Sequence, residues 1–221
     1  MIKELYYWFH KKTSKPEERG EYSAGRWQDI VRKQALTLCK EKKGRLLEAG
    51  CGEGLFLVPL AKYNKELKLY GIDVWVDILK KAKKRFKEKD LRYIQISQAD
   101  AKKLPFKDGL FDTVMCINVI FNLKSWSATW RVLHEMIRVC KKGGTIIFDI
   151  RNTLNFMLYL KYKLARYYDE TVKGLPLKTY ALPKITATLR KHNFEVIKRV
   201  PVGFPHNMFS PILILEARRK K

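Results

Sequence analysis

No run of about 20 consecutive apolar residues, the length a helix needs to cross a bilayer, occurs in the 221-residue chain. The first residues, MIKELYYWFHKK, are too polar, and their apolar part too short, for a secretory signal. The expected compartment is therefore the cytoplasm, with peripheral contact at a membrane surface still compatible. Acid is scarce as well: 22 Asp and Glu stand against 46 Lys and Arg, a formal charge of +24. Such a surplus attracts nucleic acid, anionic membrane or anionic substrates, and makes that attraction sensitive to salt. A solvated Lys-rich surface explains the same numbers without any partner. Cysteine is limited to four residues, Cys39, Cys51, Cys116 and Cys140. They form no CxxC pair and have no histidine at ligand spacing, which argues against zinc and for small buried side chains in a reducing compartment. No internal repeat or low-complexity linker interrupts the chain.

What is present is alternation. With 46% hydrophobic residues, the chain has enough apolar side chains for one sizeable core. Short apolar runs, GRLLEAG, LKLYGIDV, LRYIQIS, LFDTVMCINV and TIIFDI, read as five strands. Between them, LFLVPLAKYN, VDILKKAKKRFKEK and TWRVLHEMIRVCKKGG carry apolar residues at helical spacing, with lysines on the other face. Gly143 and Gly144 are expected to stop the last of these helices. Strand–helix alternation predicts an α/β fold, a mostly parallel sheet flanked by helices. The final part, LPKITATLRKHNFEVIKRV and then PILILEARRK, gives a helix and two strands joined without a helix, which must pair antiparallel. Residues 1–44 read as a helical N-terminal cap, 45–221 as the main domain, and 152–178 as a lid insertion after the fifth strand.

Ligands of such sheets bind beyond the carboxyl ends of the strands. Gly50–Gly54, Asp73, Asp100, Cys116–Asn118 and Arg151–Asn152 should converge there. The loop LEAGCGEG puts Gly50, Gly52 and Gly54 at alternate positions, not in the Gly-x-Gly-x-x-Gly spacing of dinucleotide sites. Its Glu53 would repel a pyrophosphate unless turned away, and Glu48 inside the strand is a costly buried charge without a partner. A ligand with cationic groups and no phosphate suits these acids better. The glycines also have a bland reading as a strand–helix turn, Asp73 as a strand end and Asp100 as a helix cap.

With these residues in view, LLEAGCGEG resembles the first motif of class I S-adenosylmethionine-dependent methyltransferases, and later segments follow in the family's order. YGIDV places Asp73 where the family's acid holds both ribose hydroxyls, a task suited to a carboxylate's paired acceptors. QADAKKLPFKDGLFDTV resembles the stretch in which Asp100 meets the adenine amino group and Ala101 offers its backbone N–H. EMIRVCKKGGTIIF is similar to the helix and turn before the fifth strand. The resemblance covers residues 45–150 and extends more loosely through LKTYALPKITATLRKHNFEVI, which is similar to the closing part of ubiquinone/menaquinone-biosynthesis enzymes of the methyltransferase type 11 kind. It implies a Rossmann-like seven-stranded sheet of order 3-2-1-4-5-7-6, with the last strand antiparallel. It implies S-adenosyl-L-methionine as cofactor and S-adenosyl-L-homocysteine as product. The implied cofactor residues are Glu48, Gly50, Cys51, Gly52, Gly54, Asp73, Val74, Asp100, Ala101, Ile117 and Asn118.

The acceptor is less marked. CINVIFNL has no proline and so lacks the Asn/Asp-Pro-Pro-Tyr-like turn of base-amino methylation, no cysteine sits in the Pro-Cys or Thr-Cys setting of cytosine-C5 enzymes, and no acids follow the fourth strand to hold magnesium as in catechol-type enzymes. The expectation is metal-independent in-line displacement onto a small-molecule acceptor, in the lipophilic range. His206 and Tyr22 are the catalytic candidates, while His134 and His192 read as structural and His10 lies in the cap. Less favoured are an RNA or protein methyltransferase using the basic surface, a non-catalytic cofactor-binding module and a dehydrogenase.

Overall fold

The structure is a computed structural model, which describes residues 26–123, 125–160 and 178–220. Its helices and strands follow in the order α1 (Arg26–Cys39), β1 (Gly44–Ala49), α2 (Leu57–Tyr63), β2 (Leu67–Asp73), α3 (Val76–Glu88), β3 (Gln95–Gln98), β4 (Phe111–Cys116), α4 (Trp126–Val139), β5 (Cys140–Arg151), α5 (Leu182–Lys191), β6 (Phe194–Val202) and β7 (Ile212–Arg219). One sheet contains all the strands in the order β3-β2-β1-β4-β5-β7-β6, as the resemblance implied. The pairs from β3 to β5 are parallel, and β7 runs antiparallel to both β5 and β6. β6 and β7 pair antiparallel because a loop alone joins them, and β7 takes the inner place, beside β5.

Alternate residues of the central strands feed two cores. Leu46, Leu69 and Met115 face one side, against Val31 of α1, Leu60 of α2 and Leu79 and Phe86 of α3. Leu47, Val114 and Phe148 face the other, against Val132, Leu133 and Met136 of α4 and Ile185 and Leu189 of α5. Covered on both faces, the inner strands need continuous apolar runs, which is how they stood out in the sequence. In α3 the buried residues are Leu79, Ala82 and Phe86, so its lysines line the solvent face.

Two expectations need correction. The run LRYIQIS gives a strand only at Gln95–Gln98. Its first half is a turn in which Leu91 N–H bonds to Phe86 O and Ile94 N–H to Leu91 O, and this turn buries Leu91 and Ile94 under an edge strand. Nor do Gly143 and Gly144 stop α4. That helix ends at Val139, and Cys140 already pairs with Phe111 while Thr145 pairs with Thr113. The glycines instead form a bulge inside β5. Gly143 has φ 73°, and a Cβ on Gly144 would lie 2.9 Å from Asp112 O and Cys140 Sγ. The close approach of β4 to β5 requires glycine there, which a helix-stop reading overlooks.

Of the N-terminal region 1–44, α1 is described, whereas residues 1–25, with His10 and Tyr22, lie outside the described residues. Of the insertion 152–178, residues 161–177 lie outside them, and residues 156–160 are helical.

Candidate functional site

β1 to β5 and β6 all end at one edge of the sheet, and the loops leaving them gather there. A surface depression lined by Ala61, Lys62, Lys65, Asp90, Leu91 and Tyr93 lies at the opposite edge, among loops entering β2 and β3. It brings no catalytic chemistry together, so the carboxyl edge is the candidate site.

The glycine loop is tied to β2 by backbone. Gly50 N–H and Cys51 N–H both donate to Ile72 O, at 2.8 and 2.9 Å. The three glycines have φ 83°, 51° and 74°, the left-handed region that disfavours a Cβ. Their surroundings differ. A Cβ on Gly50 would meet Val119 Cγ2 at 2.3 Å and one on Gly54 would meet Phe86 Cε1 at 2.5 Å, whereas at Gly52 the nearest atom is Ile78 Cγ2 at 3.9 Å. Two glycines serve the close approach of neighbours; at the third a Cβ would make only an ordinary contact.

Asp73, at the end of β2, is buried and organises this loop. Its carboxylate accepts from Gly52 N–H (Oδ2, 2.9 Å) and from Trp75 N–H (Oδ1, 3.1 Å). Val74 and Trp75, just beyond, are exposed. Asp100 caps its own turn, accepting from Lys102 N–H at 2.8 Å, and pairs with Lys102 Nζ at 3.1 Å. Ala101 follows it, half-buried.

Glu48 lies in the middle of the sheet, between Gly71 of β2 and Met115 of β4. It is only 4% exposed, and its Oε2 has no hydrogen-bond partner. Burial pushes its carboxyl well above the ordinary 4.5, Arg32 of α1 opposes this, and Asp73 adds to it. An unpartnered buried carboxyl oxygen costs about 1–3 kcal/mol or more, and such a cost points to a ligand. Glu53, the other acid of the motif, is turned away: Arg85 of α3 donates to its carboxylate at 3.2 Å and to its carbonyl at 3.1 Å. Burial pushes the thiols of Cys51 and Cys116 well above their ordinary 9.0, which fits small packing residues and not nucleophiles.

Beyond β4, Ile117 is buried and Asn118 has φ 60°. Asn118 is held from two sides: its N–H donates to Asp149 Oδ1 at 2.6 Å, and its Nδ2 donates to Gln28 O of α1 at 3.1 Å. Asp149 is ion-paired with Arg151, both buried in β5, and the Arg151 guanidinium lies 4.0 Å from the Phe121 ring centre. Sequence reading placed Asn118 and Arg151 at this edge but missed Asp149, which joins them. An acid and a base two apart at the end of a buried strand share one face, and FDIRN carried that signal.

His206 sits exposed in the loop between β6 and β7, on the site edge. His134 and His192 stack edge to face at 4.6 Å, one on α4 and one just after α5, away from that edge. Among the described residues, no three His, Cys, Asp or Glu side chains gather as metal ligands.

A Rossmann-like sheet thus carries an acid-studded glycine loop at its carboxyl edge. A family model described as a methyltransferase domain matches residues 47–148. Phosphatidylethanolamine N-methyltransferase of Cereibacter sphaeroides is 30% identical over 193 residues, 86% of this chain and 89% of the relative. Demethylmenaquinone methyltransferase of Listeria monocytogenes is 32% identical over 117 residues, and the match spans 52% of this chain and about half, 48%, of the relative. Among solved structures, magnesium protoporphyrin IX methyltransferase of Synechocystis PCC 6803 with bound SAH superposes with TM-score 0.68 at 20% identity, covering 87% of this chain and 83% of that one. A methyltransferase from Clostridium acetobutylicum superposes with TM-score 0.64 at 15% identity, covering 88% and 91%. The chain belongs to the class I S-adenosylmethionine-dependent methyltransferases. It is an enzyme of that family, and S-adenosylmethionine is its methyl donor.

Proposed function

We propose that the protein transfers a methyl group from S-adenosylmethionine to an amphipathic small molecule with a nucleophilic heteroatom, by metal-independent in-line displacement. The observation that carries the donor side is Glu48, a buried carboxyl with an orphaned oxygen facing no protein donor. The donor's ammonium would supply what that oxygen lacks. Asp73 would receive the ribose hydroxyls on acceptor positions not used by Gly52 and Trp75. The lack of a crowding neighbour at Gly52 suits close backbone approach of the donor, with Gly50, Cys51 and Gly54 completing the turn. Val74, Asp100 and Ala101 would face the adenine, Asp100 by exchanging its exposed Lys102 contact. Ile117 and Asn118 would form the floor, held by the buried Asp149–Arg151 pair.

Bound there, the donor supplies an electrophilic methyl on a sulfonium centre. The chain's own residues contribute alignment and exclusion of water. His206 is the described candidate for taking a proton from the acceptor; Tyr22, the other, lies outside the described residues. The amphipathic acceptor is supported by similarity over most of the chain to a phosphatidylethanolamine N-methyltransferase and by the apolar side chains on the site's rim.

Calorimetry and labelled-donor assays test this reading. Asp73→Ala is expected to weaken S-adenosylhomocysteine by about 1.5–3 kcal/mol, the scale of hydrogen bonds to a charged group. Unchanged affinity removes Asp73 from the ribose role. Label is expected to enter the lipid-extractable pool of a cell extract, and incorporation into RNA or protein alone would overturn the acceptor class.

A further inference from the structure

The segment after β5 and the loop between β6 and β7 stand side by side and expose an unusual set of side chains. Phe204 is 84% exposed, Met157 71%, Phe156 69% and Met208 61%. Leu154, Tyr159 and Phe209 are exposed beside them. These are not loose tips. Asn152 Nδ2 donates to Met208 O at 2.7 Å and to Ser210 O at 2.9 Å, and Asn155 Nδ2 donates to Phe209 O at 2.8 Å. Asn152 is fully buried and Asn155 nearly so. The two segments are thus laced into one platform that holds large apolar groups in water, where soluble surfaces rarely collect them.

We propose that this platform docks the enzyme on an anionic lipid bilayer, with the donor site facing the membrane. Charge complementarity selects the occupant. Residues 152–160 and 203–211 contain no Asp, Glu, Lys or Arg, so the platform itself is uncharged, in a chain of net charge +24. Of the seven exposed carboxylates among the described residues, Glu41, Glu66, Glu88, Asp90, Asp108 and Glu195 stand at or before the amino ends of the strands, the far edge of the sheet, while Asp77 lies just after β2 and is paired with Lys80 at 2.9 Å. Lys198 and Arg199 are exposed on the strand leading into the loop. Apolar side chains can enter the interface there while cationic groups remain at headgroup level, and among the described residues the one exposed carboxylate on this edge, Asp77, is already paired with Lys80. The inference deepens the amphipathic-acceptor reading and rests on it for its purpose: a donor site opening toward the bilayer reaches acceptors that partition there.

Flotation of the full-length protein with vesicles tests it, read separately from methyl transfer. Wild type is expected to float with phosphatidylcholine–phosphatidylglycerol vesicles more than with phosphatidylcholine alone. The pairs Phe204→Ser/Met208→Ser and Phe156→Ser/Met157→Ser are each expected to lower the partition coefficient about tenfold or more, as loss of buried apolar area at an interface requires. Their S-adenosylhomocysteine affinity, measured by calorimetry, should stay at the wild-type value, which shows that they fold. Equal flotation of variants and wild type, absence of any flotation, or a dimer in sedimentation that the variants dissociate would each overturn the docking role. Vesicle binding without methylation of any lipid-soluble acceptor would refute the acceptor class and leave docking standing.

Discussion

Glu48 shows how one residue links fold stability to ligand binding. In the ligand-free protein its carboxyl titrates well above 4.5 because burial disfavours the charge. The unfolded chain, with an ordinary carboxyl, loses its proton first as pH rises, so between the two values the folded state binds more protons and stability falls with rising pH. Glu48→Gln is therefore expected to raise the melting temperature of the free enzyme near and above neutral pH and to change it little below about pH 4. For the ligand the sign reverses. An incoming ammonium needs the carboxylate, so wild-type affinity for S-adenosylhomocysteine should rise with pH through this range, with proton release detectable by calorimetry in buffers of different ionisation enthalpy. Glu48→Gln should bind more weakly and lose that part of the pH dependence. A pH profile unaltered by the substitution would show that Glu48 does not meet the ammonium. That Glu48 needs a partner was readable from an acid inside an apolar strand. That Glu53 does not was hidden, because its partner Arg85 lies on another element.

At the scale of elements, a glycine in a sequence does not say whether it is there for a ligand or for a neighbour. Gly54 and Gly52 both have left-handed φ, but only Gly54 lies against a ring, that of Phe86. Gly54→Ala should combine backbone strain with overpacking and cost about 2–4 kcal/mol of stability in denaturant unfolding. Gly52→Ala carries the strain alone, about 1 kcal/mol, and should instead lose S-adenosylhomocysteine affinity through the methyl group added on the donor's side of the loop. Equal stability losses with unchanged affinity would make both glycines purely structural. The parallel sheet and the antiparallel final pair were legible because alternation, apolar runs and connection lengths leave few topologies, whereas the strand order with β7 inward came from the family resemblance. The bulge at Gly143–Gly144 was not, since its cause is the approach of Asp112 and Cys140 across two strands. The truncated β3 was missed for a related reason: Leu91 and Ile94 look like strand residues because they are buried, and burial in a turn leaves the same apolar signature.

For the whole molecule, +24 has two consequences of opposite sign in salt. Self-repulsion opposes the compact state, and screening at about 0.15 M ionic strength, where the Debye length is about 8 Å, relieves it. Docking on an anionic bilayer uses the same charge and is weakened by the same screening. The melting temperature should therefore rise as sodium chloride is added from low ionic strength while vesicle flotation falls, and the apolar contribution of Phe204 and Met208 should persist in high salt. Acid sharpens the repulsion. Hydrogen bonds from Arg138 hold the Glu135 carboxyl below its ordinary 4.5, so its contribution is present above the unfolded value and lost as pH falls through the folded one. Protonating the few carboxylates also raises the net charge, so the salt-induced rise in melting temperature should be larger at pH 4 than at pH 7. Were salt to lower the melting temperature at both pH values, local ion pairs such as Lys42–Glu216, 2.6 Å apart, would outweigh the net charge. The basic surplus would then be balanced within the fold, and a polyanionic partner would no longer be needed to explain it.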